Sequence, residues 1–194
     1  MDNRLSAILK SKIEVIAVVA DRLARSVLKA RTLNLESLDI NRVRSLTDDE
    51  IDVIDAYIFR YGSLISNIQD SVFKAIGDLE EEPVADMSNR DKTNLMERIG
   101  ALPSAEHFSI LAVLRNKLMH TYPEEAQKQL ERINFITGES PRLLEMFVSI
   151  VKYAEKFGIF ISLAEFKNIT MVCSAACERC HSNPCVCSKP RSPS

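Results

Sequence analysis

Leu5, Ile8, Leu9, Ile13, Ile16, Val19, Leu23 and Leu28 recur at three- and four-residue intervals through residues 4–31. That spacing is one face of an α-helix, and a run this long leaves a chain few alternatives. Breakers are scarce: five Gly and seven Pro in 194 residues, with four of the Pro beyond residue 140. Leu, Ile, Ala, Glu and Lys are plentiful, which favours helix over strand. The expected fold is all-α, an up-and-down helical bundle. With 46% apolar and 27% charged residues, the composition is that of an ordinary soluble domain.

Charge narrows the function classes. Twenty-five basic against 27 acidic residues leave a net charge of −2. A protein that coats nucleic acid non-specifically carries a strong basic excess, so only a local basic patch could serve RNA here. "IEVIAVVA" at 13–20 is apolar but short, and Glu14 and Asp21 interrupt or bracket it. It cannot span a membrane, and the expected location is the cytoplasm. All five Cys fall in the last 22 residues, so no disulfide framework supports the body.

After the first helix, "LNLESLDINRVRS" reads as a linker. Thr47 and Glu50 in "TDDE" have capping-box spacing, so a second helix starts there and runs to about Leu79. Its buried stripe is Ile51, Ile54, Tyr57, Ile58, Tyr61, Leu64, Ile65 and Ile68. Gly62 within it suggests a close helix–helix contact. The acidic "DLEEEPVAD" ends this helix. Ser88 caps a short helix over 89–99, and "GALPS" breaks it. Ser104 caps the next helix, which Pro123 should end at Tyr122, because the residue before Pro is pushed out of the α region. A fifth helix covers about 124–136. "GESP" then reads as a turn, with Ser140 as cap and Pro141 at the first position of a sixth helix. Gly158 is its natural stop. Residues 159–172 fit a last helix or a short strand, and a Cys-rich tail occupies 173–194. The expected organisation is a bundle over 1–158, an extension over 159–172 and that tail.

The segment "LAVLRNKLMHTYPEE" at 111–125 concentrates chemistry at a helix end. On a wheel of about 100° per residue, Ile110, Leu111, Leu114 and Leu118 form the expected core face. Asn116 and His120 are four apart and share a face roughly opposite. Arg115 and Tyr122 sit near the edge of the core arc. A structural His belongs on the core face, and His120 is not there; a solvated polar edge is the other bland reading. Ala112, Val113 and Met119 make the non-core side apolar as well, which suggests a partner surface. A symmetric dimer is the cheapest partner, since one patch serves twice. Arg115 and His120 lie about 140° apart around one axis, so two copies across a two-fold axis would bring them together more easily than one rigid helix. His120 can act as acid or base near neutral pH, and its place in the last turn favours the charged form. Arg115 can grip a phosphate with two hydrogen bonds. No acidic cluster stands beside them to hold Mg²⁺. Arg with His and no metal suits RNA cleavage by attack of the ribose 2′-OH on the adjacent phosphate.

"RNKLMHTYP" resembles the signature of the HEPN superfamily, and the Tyr two positions after the His resembles its HepT-like toxin branch. "DAYIFRYGSLISNIQDSVFKAI" at 55–76 is similar to that branch's second helix, and "LMERIGALPSAEHFSILAVLRNKLMHTYPEEAQKQLERIN" at 95–134 to its run through the motif. The likeness covers about residues 20–155. It implies a homodimeric helical bundle and a metal-independent endoribonuclease of a toxin–antitoxin module. Arg115 and His120 would be its catalytic pair and Asn116 would shape the site; Lys117, a basic residue within the motif, is the expected RNA contact on its charge alone. Tyr122 would be the residue that a cognate nucleotidyltransferase antitoxin modifies with AMP. Thr121 stands where relatives carry an acidic residue, and the chain beyond about 158 lies outside the pattern. The competing expectation is a non-catalytic HEPN subunit that binds a nucleotidyltransferase and positions its substrate; the near-neutral charge favours it, while Arg90, Lys92, Arg98 and Lys117 favour RNA.

In the tail, Cys177 and Cys180 have the C-x-x-C spacing of a zinc half-site, followed by Cys185 and Cys187. Four residues between the pairs is tighter than an ordinary zinc ribbon. Zinc bound by these four Cys and a flexible or merely reactive tail are both open at this level, with Cys173 and His181 as further donors.

Overall fold

A computed structural model of the chain describes residues 3–120 and 125–180; the side chains of Lys117, Met119, His120 and 174–180 lie outside that description. Eight α-helices carry it: α1 Asn3–Thr32, α2 Ile40–Arg44, α3 Asp48–Asn67, α4 Phe73–Leu79, α5 Asn89–Arg98, α6 Ala105–His120, α7 Ala126–Ala154 and α8 Lys167–Cys180. No strand occurs among the described residues, as the periodicity requires.

Helix α1 is the axis of the bundle. Leu9, Ile13, Ile16, Leu23 and Val27 are buried along it, interleaved with buried Ala17, Ala20, Ala24 and Ala30. The alanines let α3, α7 and α8 pack closely around one helix. Thr47 and Glu50 close the expected capping box at the start of α3. The second helix does reach Leu79, but through a π turn at Ile68–Val72 rather than as one α-helix. That turn sets Ser71 to accept a hydrogen bond from Lys12 Nζ at 3.1 Å. At Gly77 the Val84 side chain sits where a Cβ would be, so the acidic loop folds back onto α4 only because that residue is Gly.

Three expectations differ from the structure. The "linker" after α1 contains a 3₁₀ turn, Leu35–Ser37, and α2, whose cap Asp39 accepts from the Asn41 and Arg42 N–H groups. Second, no turn forms at "GESP"; α7 runs straight through Pro141. A Pro inside a helix costs about 3 kcal/mol, while each buried Leu, Ile or Phe side chain contributes about 1.5–3 kcal/mol. Ile133, Ile136, Leu143, Leu144 and Phe147 lie buried on both sides of Pro141, so continuity of the stripe outweighs the break. Ser140 does not cap; its hydroxyl donates to the Ile136 carbonyl at 2.6 Å, which also accepts from the Tyr57 hydroxyl at 3.1 Å. Third, of the last helix or short strand open for residues 159–172 the structure has the helix, and the segment packs on the bundle instead of standing apart as an extension. Ile159, Ile169, Val172 and Cys173 are buried, and α8 crosses the boundary expected at 173. Asp21 on α1 holds its first turn, accepting from the Asn168 N–H at 3.1 Å and its amide at 2.7 Å. Gly158 has φ 71°, the left-handed stop expected of it. No described helix is long and apolar enough to cross a membrane.

Candidate functional site

Helix α6 starts as predicted. The Ser104 hydroxyl accepts from the His107 N–H at 3.1 Å, so the cap fixes the register of everything after it. The His107 ring meets Glu139 on α7 at 3.0 Å, and Phe108 packs against Phe73 with ring centroids 5.3 Å apart. Tyr61 on α3 donates its hydroxyl to the Leu111 carbonyl at 3.4 Å. These contacts turn Ala105, Phe108, Leu111 and Leu118 into the bundle, each 3% exposed or less.

The buried face is therefore rotated from the one expected. Ile110, assigned to the core, is 49% exposed, and Leu114 is half-buried. Phe108 is the physical reason: it is the largest apolar group on the helix, it is fully buried, and it lies on the opposite flank of Leu111 from Ile110. The rotation brings Arg115 into the arc between Leu111 and Phe108. Arg115 is accordingly half-buried. Its Nη1 reaches the Oδ1 of Asn116 at 3.4 Å. Asn116 is exposed, on the same outward side as Ile110 and Val113, the latter 57% exposed. The result is an apolar outer strip that ends in Asn116, with Arg115 reaching it from the inner flank, one turn before the helix terminus.

His120 is the last residue of α6. Its side chain, like that of Lys117, lies outside the described residues, as does Tyr122 altogether. One group that the sequence reading missed meets the backbone of the last turns of α6. Arg132 of α7 donates from Nη2 to the Leu118 carbonyl at 2.7 Å. It lines a cleft of about 230 Å³ with Asp55, Ile58 and Gln129. Burial lowers the pKa of its guanidinium, and the charge of Asp55 acts against that. The signal for Arg132 was faint: a basic residue beside the buried stripe position Ile133, with nothing in the sequence to say that α7 passes the end of α6.

Cys177 and Cys180 fall three apart near the end of α8, a spacing that puts them on one side of a helix. Their side chains are outside the described set, and so are Cys185 and Cys187. Among the described residues no group of three or more His, Cys, Asp or Glu is arranged to hold a metal ion.

No family model, curated protein or solved structure matches the chain.

Proposed function

We propose that the chain is a HEPN-type, metal-independent endoribonuclease, the toxin of a toxin–antitoxin pair, acting as a homodimer. The observation that carries the proposal is the outer face of α6: Ile110 and Val113 exposed, then Asn116, with half-buried Arg115 reaching Asn116 from the inner flank and His120 the last residue of the helix. Exposed apolar residues beside a polar cluster suit a surface that a second copy covers. In this reading Arg115 binds the scissile phosphate and stabilises the charge that builds on it. His120 in its neutral form takes the proton from the ribose 2′-OH as that oxygen bonds to phosphorus; the P–O5′ bond breaks, the 5′-oxygen takes a proton from water, and a 2′,3′-cyclic phosphate is left. Asn116 orients Arg115, and Lys117 holds flanking RNA backbone. AMP placed on Tyr122 by a nucleotidyltransferase antitoxin would add negative charge and bulk beside the phosphate site.

The test is induction of wild type and His120→Ala in a bacterial host, with growth and total RNA as readouts. Loss of one general acid–base group costs about 10²–10⁴ in rate, so the variant should neither arrest growth nor cut RNA. If soluble wild type does neither, the ribonuclease reading fails. The remaining reading is then a subunit that binds a nucleotidyltransferase without cutting.

A further inference from the structure

Arg31, Arg42, Arg98 and Arg142 each meet a carboxylate, of Glu36, Glu50, Glu82 and Glu139 respectively. Arg22, Arg25 and Arg60 have no such partner among the described residues. Arg60 of α3 meets α1 at Ser26, next to Arg25 and one turn after Arg22. Burial first, and then the charges of Arg25 and Arg22, lower the pKa of Arg60, so the guanidiniums feel one another. Arg60 is held in place: its Nη1 donates at 2.6 Å to the hydroxyl of Ser26, which is 2% exposed. Asp21 is the carboxylate that sequence spacing offers to Arg25, one turn earlier on α1. Both of its oxygens are engaged by Asn168 on α8. Docking of α8 thus ties Asp21 to a neutral amide, and a buried hydroxyl fixes the geometry of Arg60.

The surface beside Arg60 is concave. A groove of about 450 Å³ leads from Ser26 and Arg60 past Lys29 to Asp49 and Asp52, over Val53. Glu50, also in its wall, is already tied to Arg42 and to the Thr47 backbone. Asp49 and Asp52 meet no cation among the described residues. The groove is therefore positive at one end and negative at the other. A long polyanion would be attracted at the first end and repelled at the second. A small ligand with its charge at one end and hydroxyls at the other fits both: guanidiniums bind phosphate oxygens, and carboxylates accept hydrogen bonds from a diol.

We infer that the α1–α3 groove binds a phosphomonoester with a hydroxyl-bearing body, of the size of a sugar phosphate or nucleoside monophosphate. Its volume is in the range of small-molecule sites, and the inference does not depend on the ribonuclease reading.

Calorimetric titration of the full chain at low salt tests it, with inorganic phosphate, ribose 5-phosphate, AMP and a short single-stranded RNA as probes. Ribose 5-phosphate and AMP should bind saturably at one site per chain. Arg25→Gln combined with Arg60→Gln should weaken them tenfold or more. Asp52→Asn should weaken them about threefold through the lost acceptor charge without weakening inorganic phosphate, and Arg98→Gln should change nothing. Circular dichroism checks folding; should the double variant unfold, Arg22→Gln on the exposed face of α1 gives the same readout. No saturable binding of either ester, or binding that survives loss of the arginines, overturns the inference. So does RNA that binds more tightly than the esters and tighter still in Asp52→Asn, which would mark a plain polyanion surface.

Discussion

The two halves of α6 do different work. In residues 105–111 the cap at Ser104, the Phe73–Phe108 ring pair, the His107–Glu139 contact and the Tyr61 hydroxyl all tie the helix into the bundle. In residues 112–120, Leu118 is the one fully buried side chain among those described, with Arg132 on its carbonyl. The rest of that half presents Val113, Arg115 and Asn116 outward or at the edge. One helix thus separates holding from presenting. The first half spends its side chains on the core, and that fixes the direction in which the second half offers its polar groups.

Phe108→Ala should produce the largest effect, because it attacks the holding half. Removal of a fully buried Phe costs about 3–5 kcal/mol, and Phe108 is 0% exposed. Urea unfolding followed by far-UV circular dichroism would show the unfolding free energy fall by that amount. A loss under about 1 kcal/mol would mean that the first half is not core, and the contrast would collapse. Tyr61→Phe probes the same half more gently. It removes one hydroxyl from the Leu111 carbonyl, and a net hydrogen bond contributes about 1 kcal/mol. The bond is long, at 3.4 Å, so a loss at the lower end of that range is expected in the same unfolding experiment. A loss above about 2 kcal/mol would mean that the hydroxyl is a principal anchor of α6.

How far each half could be read in the sequence follows from what fixes it. The helix caps were legible because Thr47–Glu50 and Ser88 act within four residues of themselves. So were the start of α6 at Ser104 and the stop at Gly158. What escaped was decided at a distance. Pro141 looks like a helix start to any local rule, and only the apolar stripe that α7 lays against α1 and α3 overrides it. Ile110 looks like core until Phe108 finds Phe73, thirty-five positions away in the chain. Likewise Asp21 gives no sign in the sequence that it will hold Asn168, nor Arg132 that it will reach Leu118. At the candidate site, Arg115 and Asn116 were legible as residues. Their placement relative to the core was legible only to within the rotation that Phe108 imposes.

Val113→Asp tests the presenting half, and its expected effect on the monomer is the smallest. Val113 is 57% exposed, and a surface substitution of this kind shifts stability by no more than about 0.5 kcal/mol. The unfolding midpoint should therefore stay put. Association is where the change should register. If two chains meet through the outer strip of α6, the two-fold axis brings two new carboxylates together in an apolar contact that previously held two Val side chains. Buried like charges of that kind disfavour the pair strongly. Light scattering behind size exclusion, run over a dilution series, should show a dimer for wild type and a monomer for the variant, with unchanged circular dichroism. Wild type that is monomeric at every concentration, or a variant that still dimerises, would mean that the strip faces something other than a second copy. The polar groups at the end of α6 would then have to work within one chain, where Arg115 and His120 start about 140° apart on the helix.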